Sequence, residues 1–472
     1  MILESQTKYT LERFLVVASS ETQRHSLHGQ WSSRLAFILA LSGSAVGLGN
    51  IWKFPYIAGV NGGGAFVLVY LVCVFGIGLP IMISEILIGR RGRRNPVSTM
   101  AFLGEEEAGN KHWGLVGLLG VMASFLILSY YSVVAGWAVA YIFEAGSGAL
   151  IKIDAQSAVR KFESLTGSWV ISGLWHTFFM ILTIFVVARG VKLGLERAVR
   201  ILMPALVALL FLLLGYSMIE GNFAEAFVFM FAPKFSELTA EGVLSALGHA
   251  FFTLSVGMGA VMAYGAYLSN EASIIKTSIA VVTIDTAIAI LAGLVIFPIV
   301  FAHGLDPAEG PGLIFQTIPI AFGQLPGGRI VSTMFFLLLA FAAWTSGIAL
   351  MESPVAWLME TTGLERWKTA IFVGIAIWLI GFLSVLSFNK FSDVELLWGT
   401  FFQSFDYLTA NIMLPLGGLA IAIFTGWTMC ANSTSDEVDP SVGRIYRMWR
   451  VSVKFIVPVA VFLIFLNAVG II

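Results

Sequence analysis

The sequence predicts an all-α polytopic membrane protein with eleven transmembrane helices. Three observations carry that expectation. Of 472 residues, 58% are hydrophobic and only 12% are charged, whereas a soluble domain carries about 25% charged residues. Too few polar groups remain to cover a surface facing water. Eleven stretches are apolar for the roughly 20 residues that a helix needs to cross the hydrocarbon core. Lysine and arginine gather in alternate connections between those stretches.

The spans centre on residues 35–57, 64–88, 114–144, 169–188, 193–219, 241–268, 277–303, 328–359, 368–388, 397–428 and 449–470. Residues 1–30 are mixed and polar, without an apolar core ending at a small-residue cleavage site, and read as a cytoplasmic N-terminal tail. Arg90, Arg91, Arg93, Arg94 and Lys111 follow span 2. Arg189, Lys192, Arg197 and Arg200 lie between spans 4 and 5, and Arg444, Arg447 and Arg450 precede span 11. With strict alternation all three clusters fall on the side of the N-terminus. That side is then cytoplasmic, and the C-terminus is periplasmic. The opposite connections 145–168 and 304–327 lack dense basic clusters. A net charge of -1 supplies no global field for nucleic acid or an acidic ligand. Cys73 and Cys430 suggest neither metal-ligand spacing nor a disulfide framework.

Spans 1 and 6, the first members of two five-span halves, share an oddity. Span 1 contains Ser42-Gly43-Ser44-Ala45-Val46-Gly47-Leu48-Gly49-Asn50, and span 6 contains Thr253-Leu254-Ser255-Val256-Gly257-Met258-Gly259. Glycine costs about 1 kcal/mol against alanine within a helix, so these clusters invite unwinding at mid-span. Unwound backbone facing lipid would be unsatisfied, and it must therefore line a cavity. Interrupted segments at matching places in two halves point to a transporter site. Packing of small residues against a neighbouring helix is the other reading of any single glycine, but it leaves Asn50 and the span 6 hydroxyls unexplained. A dinucleotide loop would need a third glycine where this chain has Trp52.

Asp285 stands in the middle of span 7. A carboxylate at the bilayer centre costs at least about 2.5 kcal/mol and belongs in the bundle interior with a partner. It reads as a hard oxygen ligand for a cation; the alternative is a protonated side chain that only packs. Thr345 and Ser346 in span 8 offer two neutral oxygens to a small hard cation or bond back to the preceding turn. Tyr131 in span 3 is a buried phenol in need of a partner, which a bound carboxylate would supply. Glu85 and Glu352 are further membrane carboxylates, and Glu85 reads as a structural acceptor for unwound backbone. His249 reads as a satisfied helix histidine.

With these residues aligned, the chain resembles the neurotransmitter:sodium symporter family. The resemblance runs over spans 1 to 10. It is carried by Trp31-Ser-Ser-Arg34, by Gly43-Ser-Ala-Val-Gly-Leu-Gly-Asn-Ile-Trp-Lys-Phe-Pro-Tyr56 and by Asn61-Gly-Gly-Gly-Ala-Phe66. Leu79-Pro-Ile-Met-Ile-Ser-Glu85, Gly310-Pro-Gly-Leu-Ile-Phe315 and Thr345-Ser346 support it. Eleven spans instead of twelve resemble many bacterial members. The resemblance implies the LeuT fold, a 5+5 inverted repeat with unwound helices 1 and 6. The tail is then 1–30, the first repeat 31–219, the second 241–428, and span 11 lies in 447–472. The implied activity is sodium-coupled symport of an amino acid across a bacterial inner membrane.

By motif position the resemblance implies two sodium sites. The first would use Ala45, Asn50, Thr253 and Asp285, and the second Gly43, Val46, Ala342, Thr345 and Ser346. The substrate carboxylate would meet the helix end near Gly47, beside Ser44 and Gly49, with Tyr131 donating a hydrogen bond. Glycine at 47 leaves room for that carboxylate, where relatives that carry monoamines have an aspartate. The amino group would face carbonyls of spans 1 and 6, including Ala45 and Thr253. The side chain would lie against Ile127, Phe252, Ser255, Met258, Ser346 and Leu350. That lining is mainly apolar, and Met258 can adapt. Gly257-Met258-Gly259 is similar to relatives that take large hydrophobic L-amino acids, including tryptophan. Asp285 departs from the family's usual asparagine; its fixed charge implies independence of chloride, and proton antiport is an added possibility.

Gates would close each end. Outside, Phe252 and Tyr131 would cover the substrate and Lys53 would meet Asp406 through water. Inside, Trp31, Tyr267 and Glu360 match the family's gate, with His28 where arginine is usual. A channel would need a continuous polar lining, which the single midplane cluster does not supply. An enzyme would need a metal-ligand pair, a nucleophile–base pair or an organic cofactor motif, and none stands out.

Overall fold

The structure is a computed structural model that describes residue 26 and residues 29–305, 313–438 and 443–468. Almost all of the tail over 1–30, His28, the start of the Gly310–Phe315 motif and the end of span 11 lie outside the described residues. The described chain is helical, and its one β-bridge joins Leu396 to Gly399. Nine unbroken helices among the described residues are long and apolar enough to cross a membrane. Span 1 is a bent pair, Arg34–Ala45 and Gly49–Val60, meeting at 52°. Span 6 is split into Ala240–Thr253 and Ala260–Ala266. Together these make eleven spans.

Boundaries move where capping decides them. Span 10 starts at Phe401 instead of 397, because Thr400 and Gln403 form a reciprocal capping box. Span 11 runs over Gly443–Leu466, beginning earlier than its apolar core. Two connections hold helices of their own, Pro96–Ala108 and Ala155–Thr166. Asn95 and Asp154 begin them by accepting from the Ser98 and Ser157 N–H groups.

Spans 3 (Lys111–Ser147) and 8 (Gly328–Thr362) form the centre: 72% and 78% of their most apolar windows are buried, against 33% for span 5 (Val191–Glu220) and span 11. Small residues allow this packing. A Cβ on Gly120 would lie 3.0 Å from the Gly259 nitrogen, and one on Gly136 would lie 2.8 Å from the His176 nitrogen. Peripheral helices turn residues such as Phe211 and Ile219 outward, where lipid replaces water as solvent.

The basic connections share one end. Arg90 pairs with Glu437 at 2.7 Å, just before span 11, and donates to the Ala272 carbonyl at 2.6 Å, just before span 7. Glu196, at the start of span 5, accepts from the Ser32 N–H at 3.0 Å and pairs with Arg200 at 2.7 Å. Alternating crossings require this arrangement.

Candidate functional site

Both glycine-rich segments interrupt their helices. In span 1 the regular helix ends at Ala45, and a wide π-turn begins at Gly49. Asn50 Oδ1 accepts from the Gly47 N–H at 3.0 Å, replacing a bond the helix no longer makes. In span 6, Ser255, Gly257 and Gly259 have φ of 54°, 83° and 74°. Left-handed backbone costs a residue with a side chain about 1–2 kcal/mol, so Ser255 must be held in place. Its Oγ donates to the Ser44 carbonyl at 2.9 Å and ties one break to the other. Glu85 Oε1 accepts from the Gly257 N–H at 2.5 Å, and Ser124 Oγ donates to the Met258 carbonyl at 2.5 Å. Side chains from spans 2 and 3 thus satisfy peptide groups that lipid could not.

Between the breaks lies a cavity of about 30 Å³. All twelve residues expected around a substrate line it, together with Leu48. Ser44, Ala45, Gly47 and Gly49 form one wall, and Phe252, Thr253, Ser255 and Met258 face them. Ile127 and Tyr131 from span 3, with Ser346 and Leu350 from span 8, complete the lining. The Tyr131 hydroxyl accepts from the Leu48 N–H at 3.3 Å, which leaves its own proton to donate. A Cβ on Gly47 would lie 2.6 Å from Ser346 Oγ and 3.1 Å from the Tyr131 hydroxyl. Only glycine fits without movement.

Beside the cavity, Asn50 Nδ2 donates to Asp285 Oδ1 at 2.8 Å, and Thr253 Oγ1 lies 3.1 and 3.3 Å from the two Asp285 oxygens. Ala45 lines the same cavity wall as Thr253. The second expected set also converges. Ser346 Oγ lies 3.3 and 3.2 Å from the Gly43 and Val46 carbonyl oxygens, and Thr345 Oγ1 lies 3.1 Å from that of Ala342. Thr345 also makes the back-bond of a helical threonine, to Phe341 at 3.2 Å, whereas Ser346 reaches across to span 1. Among the described residues no three His, Cys, Asp or Glu side chains gather as a metal group. One carboxylate among neutral oxygens suits a hard monovalent cation carried as cargo.

A vestibule of about 190 Å³ adjoins the cavity, lined by Lys53, Asp406, Trp52, Tyr56, Tyr130 and Phe402 among others. Phe252 and Tyr131 line both spaces and so partition them. Lys53 Nζ sits 4.8 Å from the Phe252 ring centre, in cation–π range. At the other end Trp31 is buried; its Nε1 donates to the Tyr264 carbonyl at 3.2 Å and its N–H to that of Tyr267 at 3.1 Å. The Tyr267 hydroxyl donates to Glu352 Oε1 at 2.8 Å, and Arg366 Nη1 donates to the same oxygen at 3.0 Å. Glu360 accepts from the Asn95 N–H at 2.7 Å and from its Nδ2 at 2.6 Å. Its expected neighbour His28 lies outside the described residues.

The reading of His249 needs correction. It is buried, with ring centres 6.0 Å from Phe54 and 5.5 Å from Tyr70, and neither nitrogen has a hydrogen-bond partner. The buried Tyr70 hydroxyl faces the Thr253 and Thr286 hydroxyls. Tyr70, Leu48 and Ser124 escaped sequence reasoning, since each sits in an apolar run with nothing to mark it.

Comparison with known proteins agrees with this geometry. The profile of the sodium:neurotransmitter symporter family matches residues 28–154 and 156–471. An uncharacterized sodium-dependent transporter of Bacillus subtilis (strain 168), YhdH, is 37% identical over 445 residues, covering 94% of this chain and 98% of the relative. An uncharacterized sodium-dependent transporter of Haemophilus influenzae is 32% identical over 444 residues, covering 93% and 97%. The crystal structure of MhsT in complex with L-phenylalanine superposes with a TM-score of 0.86 at 43% identity, over 93% of this chain and 99% of that one. The architecture is the LeuT fold.

Proposed function

Because the chain belongs to the sodium:neurotransmitter symporter family, we propose that it carries a hydrophobic L-amino acid into the cell by sodium-coupled alternating access. Its relatives are transporters, not enzymes, and it is a sodium-dependent, multi-pass membrane transporter like them. The carrying observation is a cavity enclosed by two broken helices, with oxygen clusters on two sides.

In this reading the substrate carboxylate meets Gly47 and Tyr131, and its side chain lies against Ile127, Phe252, Met258 and Leu350. One sodium ion binds at Ala45, Asn50, Thr253 and Asp285. A second binds at Gly43, Val46, Ala342, Thr345 and Ser346. An amino acid is larger than the cavity, so its entry would displace Phe252 and Met258 and merge cavity with vestibule. That MhsT was crystallised with L-phenylalanine supports the hydrophobic class. The fixed charge of Asp285 favours transport without chloride. Lys53 and Asp406 would guard the outer mouth, and Trp31, Tyr267 and Glu360 the inner one. The halves 31–219 and 241–428 would rock against each other in a bacterial inner membrane, with the N-terminus cytoplasmic.

Reconstitution into proteoliposomes with an imposed sodium gradient tests this. Uptake of each of the twenty amino acids is measured with chloride and with gluconate. Accumulation of large hydrophobic amino acids above equilibrium, equal in both anions, is expected. No accumulation of any amino acid would remove the reading, and a chloride requirement would remove its charge argument alone.

A further inference from the structure

A third space, of about 350 Å³, opens at the vestibule end of spans 3 and 4, away from the central site. Its floor is Ala140, Tyr141 and Leu165. Within it Lys161 Nζ and Glu144 Oε2 meet at 2.6 Å, joining the last turn of span 3 to helix Ala155–Thr166. Its rim is Phe143, Ile171 and Trp175. Phe143 is 60% exposed and Ile171 46% exposed, on the flank where span 4 (Trp169–Ala188) presents its apolar surface outward. The Phe143 and Trp175 rings lie 5.3 Å apart, and Trp169, the first residue of the helix that holds Trp175, carries Lys390 over its face at 4.8 Å. Tryptophans at a helix end mark the level of the headgroups. The ion pair therefore sits where lipid phosphates are, with an apolar edge leading toward the acyl chains.

We propose that this cavity is a headgroup site for a zwitterionic aminophospholipid, phosphatidylethanolamine, with Lys161 receiving the phosphate and Glu144 the primary ammonium. An exposed ion pair contributes little by itself, so a ligand that supplies both opposite charges can enter between its partners at small cost. The ammonium of Lys161 has further N–H donors beyond the one used, and the second Glu144 oxygen can accept. The chemistry discriminates between lipids. Phosphatidylglycerol brings no cation for Glu144, and the trimethylammonium of phosphatidylcholine has no N–H to donate. Acyl chains would follow the Phe143 and Ile171 rim, which a free amino acid has no means to use.

Native mass spectrometry of the intact transporter tests the assignment, with phosphatidylethanolamine, phosphatidylglycerol or phosphatidylcholine of identical chains added in turn. We expect phosphatidylethanolamine to be retained about tenfold better than either competitor, the worth of one charge-assisted hydrogen bond. Glu144→Gln should reduce that preference to about one, and Lys161→Met should weaken retention of all three lipids alike, while sodium-dependent substrate binding persists, which shows that the variants are folded. Equal retention of the three lipids, an undiminished preference in Glu144→Gln, or unchanged retention in Lys161→Met overturns the proposal. Displacement of the bound lipid by millimolar free amino acid also overturns it and makes the cavity a site for soluble zwitterions.

Discussion

The Asn50 amide and the Asp285 carboxylate meet at 2.8 Å in the middle of the bundle, while the oxygen of the same amide holds the Gly47 N–H at 3.0 Å. One side chain therefore links the cavity wall to the carboxylate of the first oxygen cluster. Asp285→Asn removes a charge-assisted contact worth about 1.5–3 kcal/mol. The sodium concentration for half-maximal substrate binding should rise by about tenfold or more. Asn50→Ala, which also frees the Gly47 N–H, should weaken both sodium and substrate. Sodium titrations that match the parent protein in both variants would refute the first-site assignment.

Gly47→Ala should reduce substrate binding by about tenfold or more, because overpacking costs about 1–3 kcal/mol and the new methyl would sit 2.6 Å from Ser346 Oγ. Adding Ser346→Gly restores the space but removes a hydroxyl of the second cation set. The double variant should regain substrate affinity while requiring more sodium. Recovery of neither in a binding assay would place the defect elsewhere.

Glu85→Ala leaves the Gly257 N–H buried without its acceptor, at a cost of about 1–3 kcal/mol. Glu85→Gln keeps an oxygen there. Thermal unfolding in detergent should show a clear drop for the alanine variant and a smaller one for glutamine. Equal drops would mean that the charge, not the accepted bond, matters.

Gly257→Ala combines a φ of 83° with a Cβ only 2.6 Å from the Leu414 carbonyl oxygen, whereas a Cβ on Gly215 in span 5 meets nothing within 4 Å. Gly215→Ala should be neutral or stabilising by up to about 1 kcal/mol, and Gly257→Ala should lower the unfolding temperature and abolish transport. Similar melting curves for the two would show that the span 6 break is not set by this residue.

The breaks were legible in the sequence because glycine, serine and asparagine are costly at mid-membrane and conspicuous there. Asp285 was legible for the same reason. What holds the breaks was only half legible. Glu85 was assignable to unwound backbone, but no local rule selects a peptide N–H 172 positions away. Spans 3 and 8 are apolar all round, so their central place follows from helix packing that periodicity does not record. His249 looks like an ordinary helix histidine until both of its buried ring nitrogens prove to lack a partner. The Glu144–Lys161 cavity depends on how helix Ala155–Thr166 folds back on span 3, a feature of tertiary packing alone.

The joint in span 1 has a mechanical consequence. A straight rod pivoting at its centre would move both ends at once and in opposite directions. Two arms set at 52° through Val46, Gly47 and Leu48 can tilt separately. The lower arm follows Trp31 and the upper begins with Lys53 in its first turn. In the proposed transport cycle each mouth would thus have its own lever, and Asn50, which holds Asp285, sits just past the elbow at the start of the upper arm.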